Sequence, residues 1–469
     1  MTEPIRIANC SGFLGDRKSA AREMVEGGPI DVLTGDWLAE LTMLILARQR
    51  MKHGTGYARP FLTQMEEMLG VCVDRGIRIV SNAGGLDPQG LGDALKDLAT
   101  SLGLTIRIGV VSGDDLAPRV REIMAKGEAF ANLDTGETLA GAGVRPLTAN
   151  AYIGGEPITA ALNAGADIVV TGRVTDAALV IGPAGWRHGW DYAAARAGDQ
   201  ATLDCLAGAL VAGHVIECGA QATGGNYAFF TDVPGLEHPG LPIAEVAADG
   251  SSVITKHDGT GGMVTVGTVT AQLLYEVGGP EYLNPDVTAR FDTIRLEQVD
   301  RDRVRISGTV GQAPPDRLKV AMNYVGGFRN SLTLVITGMD VDAKADLALR
   351  TITGVSLAKS VALDPAALAA ESSLDVRELS VELQSSGAAD PGSTSQAQSF
   401  LRITVKDDDA DKVGKPFTER VIEAALSSYP GLFPTTPPAP ASPYGVFWPT
   451  TVDRVEVPTD IRVDGQVLA

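Results

Sequence analysis

Apolar and polar positions follow a repeating unit through the first 180 residues. A short apolar run ends in a turn of small residues that carries a polar or charged side chain. Ile5-Arg6-Ile7-Ala8 runs into Cys10-Ser11-Gly12-Phe13-Leu14-Gly15-Asp16-Arg17, and Asp31-Val32-Leu33 into Thr34-Gly35-Asp36. Ile77-Arg78-Ile79-Val80 runs into Ser81-Asn82-Ala83-Gly84-Gly85, and Ile106 to Val111 into Ser112-Gly113-Asp114-Asp115. Ala166 to Val170 runs into Thr171-Gly172-Arg173-Val174-Thr175-Asp176. Between these runs the period changes to that of helices, over 38–47, 61–74, 91–102, 117–126 and 157–164, with another helix over 201–213. Strand–helix alternation of this kind predicts an open, mostly parallel α/β sheet with flanking helices. A parallel sheet gathers ligand-binding groups at the C-terminal ends of its strands, so the five turns point to one shared site. A TIM barrel would also gather them, but five or six strand–helix units fall short of eight.

The second half reads differently. Residues 264–270, 304–307, 332–336 and 400–405 are rich in β-branched residues and roughly alternating, which predicts strands. Helical patterns remain at 342–353 and 417–427. Residues 385–398 read as a loop, and the proline-rich stretch 434–449 as an extended segment. The expected organisation is an α/β domain over 1–262 and a smaller α+β domain over 263–469.

Composition narrows the function. Net charge is 39 − 58 = −19, without the basic footprint that nucleic-acid binding needs. No apolar run is long enough for a membrane helix, and the N-terminus enters a strand with no signal-peptide pattern. Four scattered cysteines show neither metal-ligand spacing nor a disulfide framework. A cytoplasmic protein is expected.

Each polar turn offers chemistry and a plainer alternative. Gly12 and Gly15 flank a loop in which Asp16 or Arg17 can meet a substrate; their spacing is not the G-x-G-x-x-G fingerprint of NAD binding. Asp36 is either a helix N-cap or a general base, and with Glu40 one turn on it could divide acid and base roles or meet a divalent cation. Asn82, Gly84 and Gly85 supply amide donors suited to an oxyanion or carboxylate, or form an Asx turn. Arg173 suits a carboxylate, unless it pairs internally with Asp176. Lys256, Thr260, Gly261 and Gly262 form a possible anion cradle, although the Lys precedes the glycines, unlike a Walker A loop. Cys218 shares a Gly-rich loop with Asn226 and has His214 four residues away as a possible base; a buried inert thiol is the commoner case. No resident cofactor or metal is expected.

These motifs resemble the acyclic terpene utilisation family, AtuA. The resemblance rests on 12–17, 31–40, 81–88, 171–179, 256–262, 269–276, Tyr429-Pro430-Gly431 and 438–449, and spans about 5–455. It implies catabolism of branched, terpenoid or carboxylic acids, often through CoA thioesters. Longer relatives carry a further C-terminal domain, which implies a small separate partner subunit here, and a homo-oligomer is expected. The leading expectation is a lyase or hydratase acting on a small carboxylate or its acyl-CoA, with CoA entering only as a substrate moiety. The expected rivals are a non-catalytic or co-catalytic subunit that binds a small partner protein and an acyl or phosphoryl transferase.

Overall fold

The structure is a computed structural model that describes residues 3–468. The chain forms two compact units, 1–323 with 447–469, and 324–446. The boundary expected at 262/263 lies inside the first unit.

The first unit is built on an eleven-stranded sheet. The five apolar runs form β1 (Ile5–Asn9), β2 (Val32–Gly35), β3 (Arg78–Ser81), β4 (Ile108–Ser112) and β6 (Ile168–Thr171). They lie side by side in the order β1-β2-β3-β6-β4, all parallel. Between β4 and β6 in the chain, β5 (Thr148–Ala151) pairs instead with the long strand Arg317–Thr337. β7 (Pro242–Val246) and β8 (Ser252–Lys256) extend the sheet antiparallel beyond β1, followed by Arg303–Ser307 and Arg295–Asp300. On the other side Asp460–Val463 and Gln466–Val467 continue it past β4. The sheet therefore ends in two open edges and is not a barrel.

Both faces of the parallel core are covered, which is why its strands read as continuous apolar runs. Helices Ala20–Glu26, Arg59–Arg75 and Pro88–Ser101 bury Met24, Phe61, Met65, Leu69, Leu91 and Leu95 on one face. Helices Glu156–Asn163, Ala178–His188 and Gln200–Ile216 pack on the other face. The last of these is buried along almost its whole second half, so its C-terminal end is held firmly inside the unit.

The second unit is α+β. Strands Glu378–Gln384, Gln398–Asp407 and Leu432–Pro434 form a sheet with the second part of Arg317–Thr337. Helices Val341–Thr353 and Lys415–Ser427 bury Leu349, Ile352, Phe417 and Val421 against Leu334, Leu401 and Ile403.

One expected strand is a helix. Residues 264–270 alternate like a strand, yet Val266–Leu273 is helical. Thr265 and Thr268 close a reciprocal capping box, and the buried positions Thr268, Val269, Gln272 and Leu273 follow the helical period. Capping chemistry outweighs β-branched propensity there.

The end of β3 is packed too tightly for any side chain. A β-carbon on Gly84 would collide with the Thr171 carbonyl and the Pro88 backbone. Gly84→Ala is expected to cost about 1–3 kcal/mol of stability, since neither neighbour is a side chain that can swing away. Thermal and urea unfolding measure this; an unchanged midpoint would mean that the β3 turn can move.

Candidate functional site

A cavity of about 790 Å³ opens in the first unit over the C-terminal ends of the parallel strands. Its walls include Gly12 and Asp16 after β1, Asp36 and Glu40 after β2, and Arg173 and Asp176 after β6. Tyr152 comes from the end of β5, Glu217 and Cys218 from the end of Gln200–Ile216, and Arg317 and Lys319 from the long strand. Phe13, Leu133 and Leu283 also line it and are solvent-exposed apolar side chains.

Arg173 is 2% exposed and closely held. Its Nη2 donates to Asp176 Oδ1 at 2.8 Å, and its Nη1 donates to the Leu38 carbonyl. Its guanidinium carbon lies 4.2 Å from the centre of the Tyr152 ring. Nε has no acceptor among the described residues. Burial alone would lower its pKa, but Asp176, Tyr152, Asp36 and Glu40 more than compensate and hold the cation. The Arg173–Asp176 pair is thus the internal one that the sequence left open.

Asp36 is the opposite case. Its Oδ1 accepts from Asn82 Nδ2 at 2.6 Å and from the Leu38 amide at 3.1 Å. Burial, and then the charge of Asp176, push its pKa well above the carboxylate range, against the pull of Arg173 and Asn82. Its protonated form is thus favoured, with the Asp176 carboxyl as its neighbour. It does not cap the following helix, which begins at Glu40 after Ala39.

Glu40 stays an anion. Burial raises its pKa, but the Tyr152 hydroxyl, donating at 2.6 Å, together with Lys319 and Arg173, brings it down to about 2. Lys319 Nζ lies 3.2 Å from Glu40 Oε1 and 4.7 Å from the Tyr152 ring centre. Tyr152 therefore sits between two cations.

A family model described as acyclic terpene utilisation family protein AtuA matches residues 5–463. The chain belongs to the AtuA family. AtuA membership implies a role in acyclic terpene utilisation. No curated protein and no solved structure matches the chain. No helix among the described residues is long and apolar enough to cross a membrane.

The AtuA motifs do not all reach the cavity. Gly12, Asp16, Asp36, Arg173 and Asp176 line it, as does Asn226 of the Gly-rich loop outside these motifs. Asp16 accepts from the Gly12 and Arg17 amides at 2.9 and 2.8 Å, which curls the first loop around its carboxylate. Gly12 approaches the Cys218 backbone so closely that a β-carbon would overlap it. Asn82 is fully buried, its amide spent on Asp36 and on the Trp37 N–H at 2.8 Å, so it positions Asp36 from behind. Gly84 and Gly85 make the backbone turn after β3, where the Gly85 amide donates to the Asn82 carbonyl at 3.1 Å. Gly15 packs on the Phe13 ring, and Arg17 is engaged by Glu23 and the Pro239 carbonyl.

The Lys256 loop is not a sixth contributor to the cavity wall. Lys256 Nζ donates to the Thr260 carbonyl at 2.9 Å and lies 3.4 Å from Asp302, while Thr260 Oγ1 donates to the His257 carbonyl at 2.7 Å. The Gly261 carbonyl accepts from the Gly240 amide, and the Gly262 amide donates to the Pro234 carbonyl. The cradle is closed by its own chain. Tyr152, Glu217 and Lys319 line the cavity without any motif that marks them. No group of acidic, histidine and cysteine residues among the described residues could hold a metal ion.

Behind the wall, Asp114 accepts from the Arg173 amide at 2.8 Å and from Asn150 Nδ2 at 2.7 Å. Burial still raises its pKa from 3.8 to about 7. The folded chain therefore holds this proton more tightly than the unfolded chain. The stability it contributes is complete below pH 3.8 and is lost as pH rises to about 7. Asparagine can accept both hydrogen bonds without a charge. Asp114→Asn is expected to flatten the fall in melting temperature between pH 5 and 8, and to leave the variant the more stable of the two at pH 8. Scanning calorimetry across that range checks it, and parallel curves would contradict a buried proton at Asp114.

Proposed function

We propose that the chain is an enzyme of the lyase or hydratase type acting on a small branched or terpenoid carboxylic acid or its acyl-CoA ester. The observation that carries this reading is the array of Asp36, Asp176 and Arg173 on one cavity wall. Burial favours the protonated form of Asp36, and its neighbour Asp176 is held in place by a buried guanidinium. Like charges in contact cannot both ionise, so the pair keeps one proton ready to transfer. Lyases and hydratases move a proton to or from the carbon beside a carbonyl, and an acid held near its working protonation state serves that step. Exposed apolar side chains at Phe13, Leu133 and Leu283 suit a branched hydrocarbon chain, and Lys319 and Arg317 on the same wall suit an anionic group. The family's role in acyclic terpene utilisation agrees with such a substrate.

Asp36→Asn separates chemistry from architecture. The amide oxygen can still accept from Asn82 and Leu38, but no proton can be transferred. On a panel of enoyl-CoA and hydroxyacyl-CoA substrates, with the corresponding free acids, the variant is expected to lose about 10²–10⁴-fold in kcat. Its melting temperature should stay close to that of the parent. Parent-like turnover in Asp36→Asn would remove the acid–base role from this wall.

A further inference from the structure

We propose that Glu217 is a second proton-transfer group of the cavity, with His214 as its positioning residue. The inference rests on the acid–base reading of the cavity. Glu217 follows the last turn of Gln200–Ile216, the buried helix whose end is fixed by its own packing. Its side chain is only 6% exposed, yet it lines the cavity. One carboxylate oxygen lies 3.2 Å from His214 Nδ1, and the other, Oε2, is buried with no partner among the described residues.

An unpartnered carboxylate oxygen is costly to bury, and most such groups in folded proteins find a donor. Here the free oxygen belongs to a cavity-lining residue, and the other lies at ion-pair distance from His214. The imidazole is 1% exposed and is fixed by ring contacts, with Tyr282 at 5.1 Å and Phe291 at 5.6 Å between centroids. The remaining charged or titratable neighbours of Glu217 come from separate elements. They are Asp176 after β6, Glu276 beyond the helix Val266–Leu273, Tyr282 on Glu281–Leu283, and the adjacent Cys218. Burial, followed by Asp176 and Glu276, raises the Glu217 carboxyl to about 7 against the opposing pull of His214. Burial alone would lower His214, but Glu217 reverses the direction.

The two carboxyl groups divide the work of a hydration. Asp36 gives its proton to the α-carbon of an enoyl substrate. Glu217 takes a proton from the water whose oxygen bonds to the β-carbon, and the π pair of the double bond becomes the new Cα–H bond. Afterwards Asp36 is ionised and Glu217 protonated, and one proton passing from Glu217 to Asp36 through solvent resets the site. Dehydration runs the same steps in reverse. In the hydration direction Glu217 must start ionised and Asp36 protonated. Glu217 therefore sets the acidic limb of the kcat profile and Asp36 the alkaline limb.

The test compares Glu217→Gln, His214→Gln and Asp36→Asn in the full-length protein on the enoyl-CoA panel, each with its melting temperature. The expected result for Glu217→Gln is at least a 100-fold loss of kcat, a KM within about threefold, and loss of the acidic limb. His214→Gln should shift that limb without removing it, which a merely structural contact would not do. If Asp36→Asn is inactive while Glu217→Gln keeps the parent's kcat and pH profile, the assignment of Glu217 is overturned and the reading of the cavity survives. If no panel compound is turned over, it is that reading which fails. The pair is then tested by ¹⁵N shifts of the His214 imidazole. A cationic His214 at pH 7 in the parent that becomes neutral in Glu217→Gln supports the pair, and a neutral His214 in both overturns it.

Discussion

The cavity depends on one buried cation. A guanidinium does not give up its proton, so a buried arginine must be surrounded by acceptors or anions. Arg173 finds them on separate stretches of chain: the Leu38 carbonyl after β2, Asp176 after β6 itself, and the Tyr152 ring after β5. Its backbone amide reaches Asp114 after β4. One residue thus ties four strand ends together, and the cavity keeps its shape because withdrawing any of these partners would leave charge uncompensated in the interior.

The carboxyl groups around this cation solve the problem of burial in different ways. Glu40 remains ionised because Tyr152 and Lys319 complete its hydrogen bonding. At Asp36 and Asp114, more deeply enclosed and met mostly by amides, the same cost raises the pKa and favours the protonated form. The first solution makes a fixed anion that orients its neighbours. The second makes an acid. Position relative to Arg173 and solvent, not residue type, decides which carboxyl belongs to which class.

The parallel core was legible because its strands are buried on both faces and so appear as uninterrupted apolar runs, each closed by a small-residue turn. The same turns revealed Gly12, Asp16, Asp36, Arg173 and Asp176, and the Gly-rich loop after the helix over 201–213 revealed Asn226. Sequence could not show that the amide of Asn82 is already committed to Asp36, or that Lys256 is paired with Asp302, because both outcomes depend on partners far along the chain. Tyr152 and Lys319 were hidden for a related reason. They meet at the cavity only through the pairing of β5 with Arg317–Thr337, a contact between distant strands that leaves no local pattern. Glu217 carries a weaker signal: a lone acid directly after a strongly apolar helix and before a Gly-rich loop. In 264–270 the strand signal was misleading, since a threonine pair that favours extended structure by propensity also makes a capping box.

Cys218 sharpens the choice among reaction types. It shares a wall with Asp36, Asp176 and Glu217, and a thiol in a cavity invites a covalent mechanism. Nucleophilic attack requires the thiolate, which forms where positive charge or a base lowers the pKa. The surroundings of Cys218 do the reverse: burial and three neighbouring carboxyl groups push its thiol well above the ordinary value. The histidine four residues earlier has its Nδ1 3.2 Å from Glu217, and no contact joins it to the thiol among the described residues. The burial that silences Cys218 also raises the carboxyl groups of Asp36 and Glu217 beside it. A wall arranged this way is poorly suited to acyl-enzyme chemistry, and the proton-transfer role proposed for it does not call on the thiol.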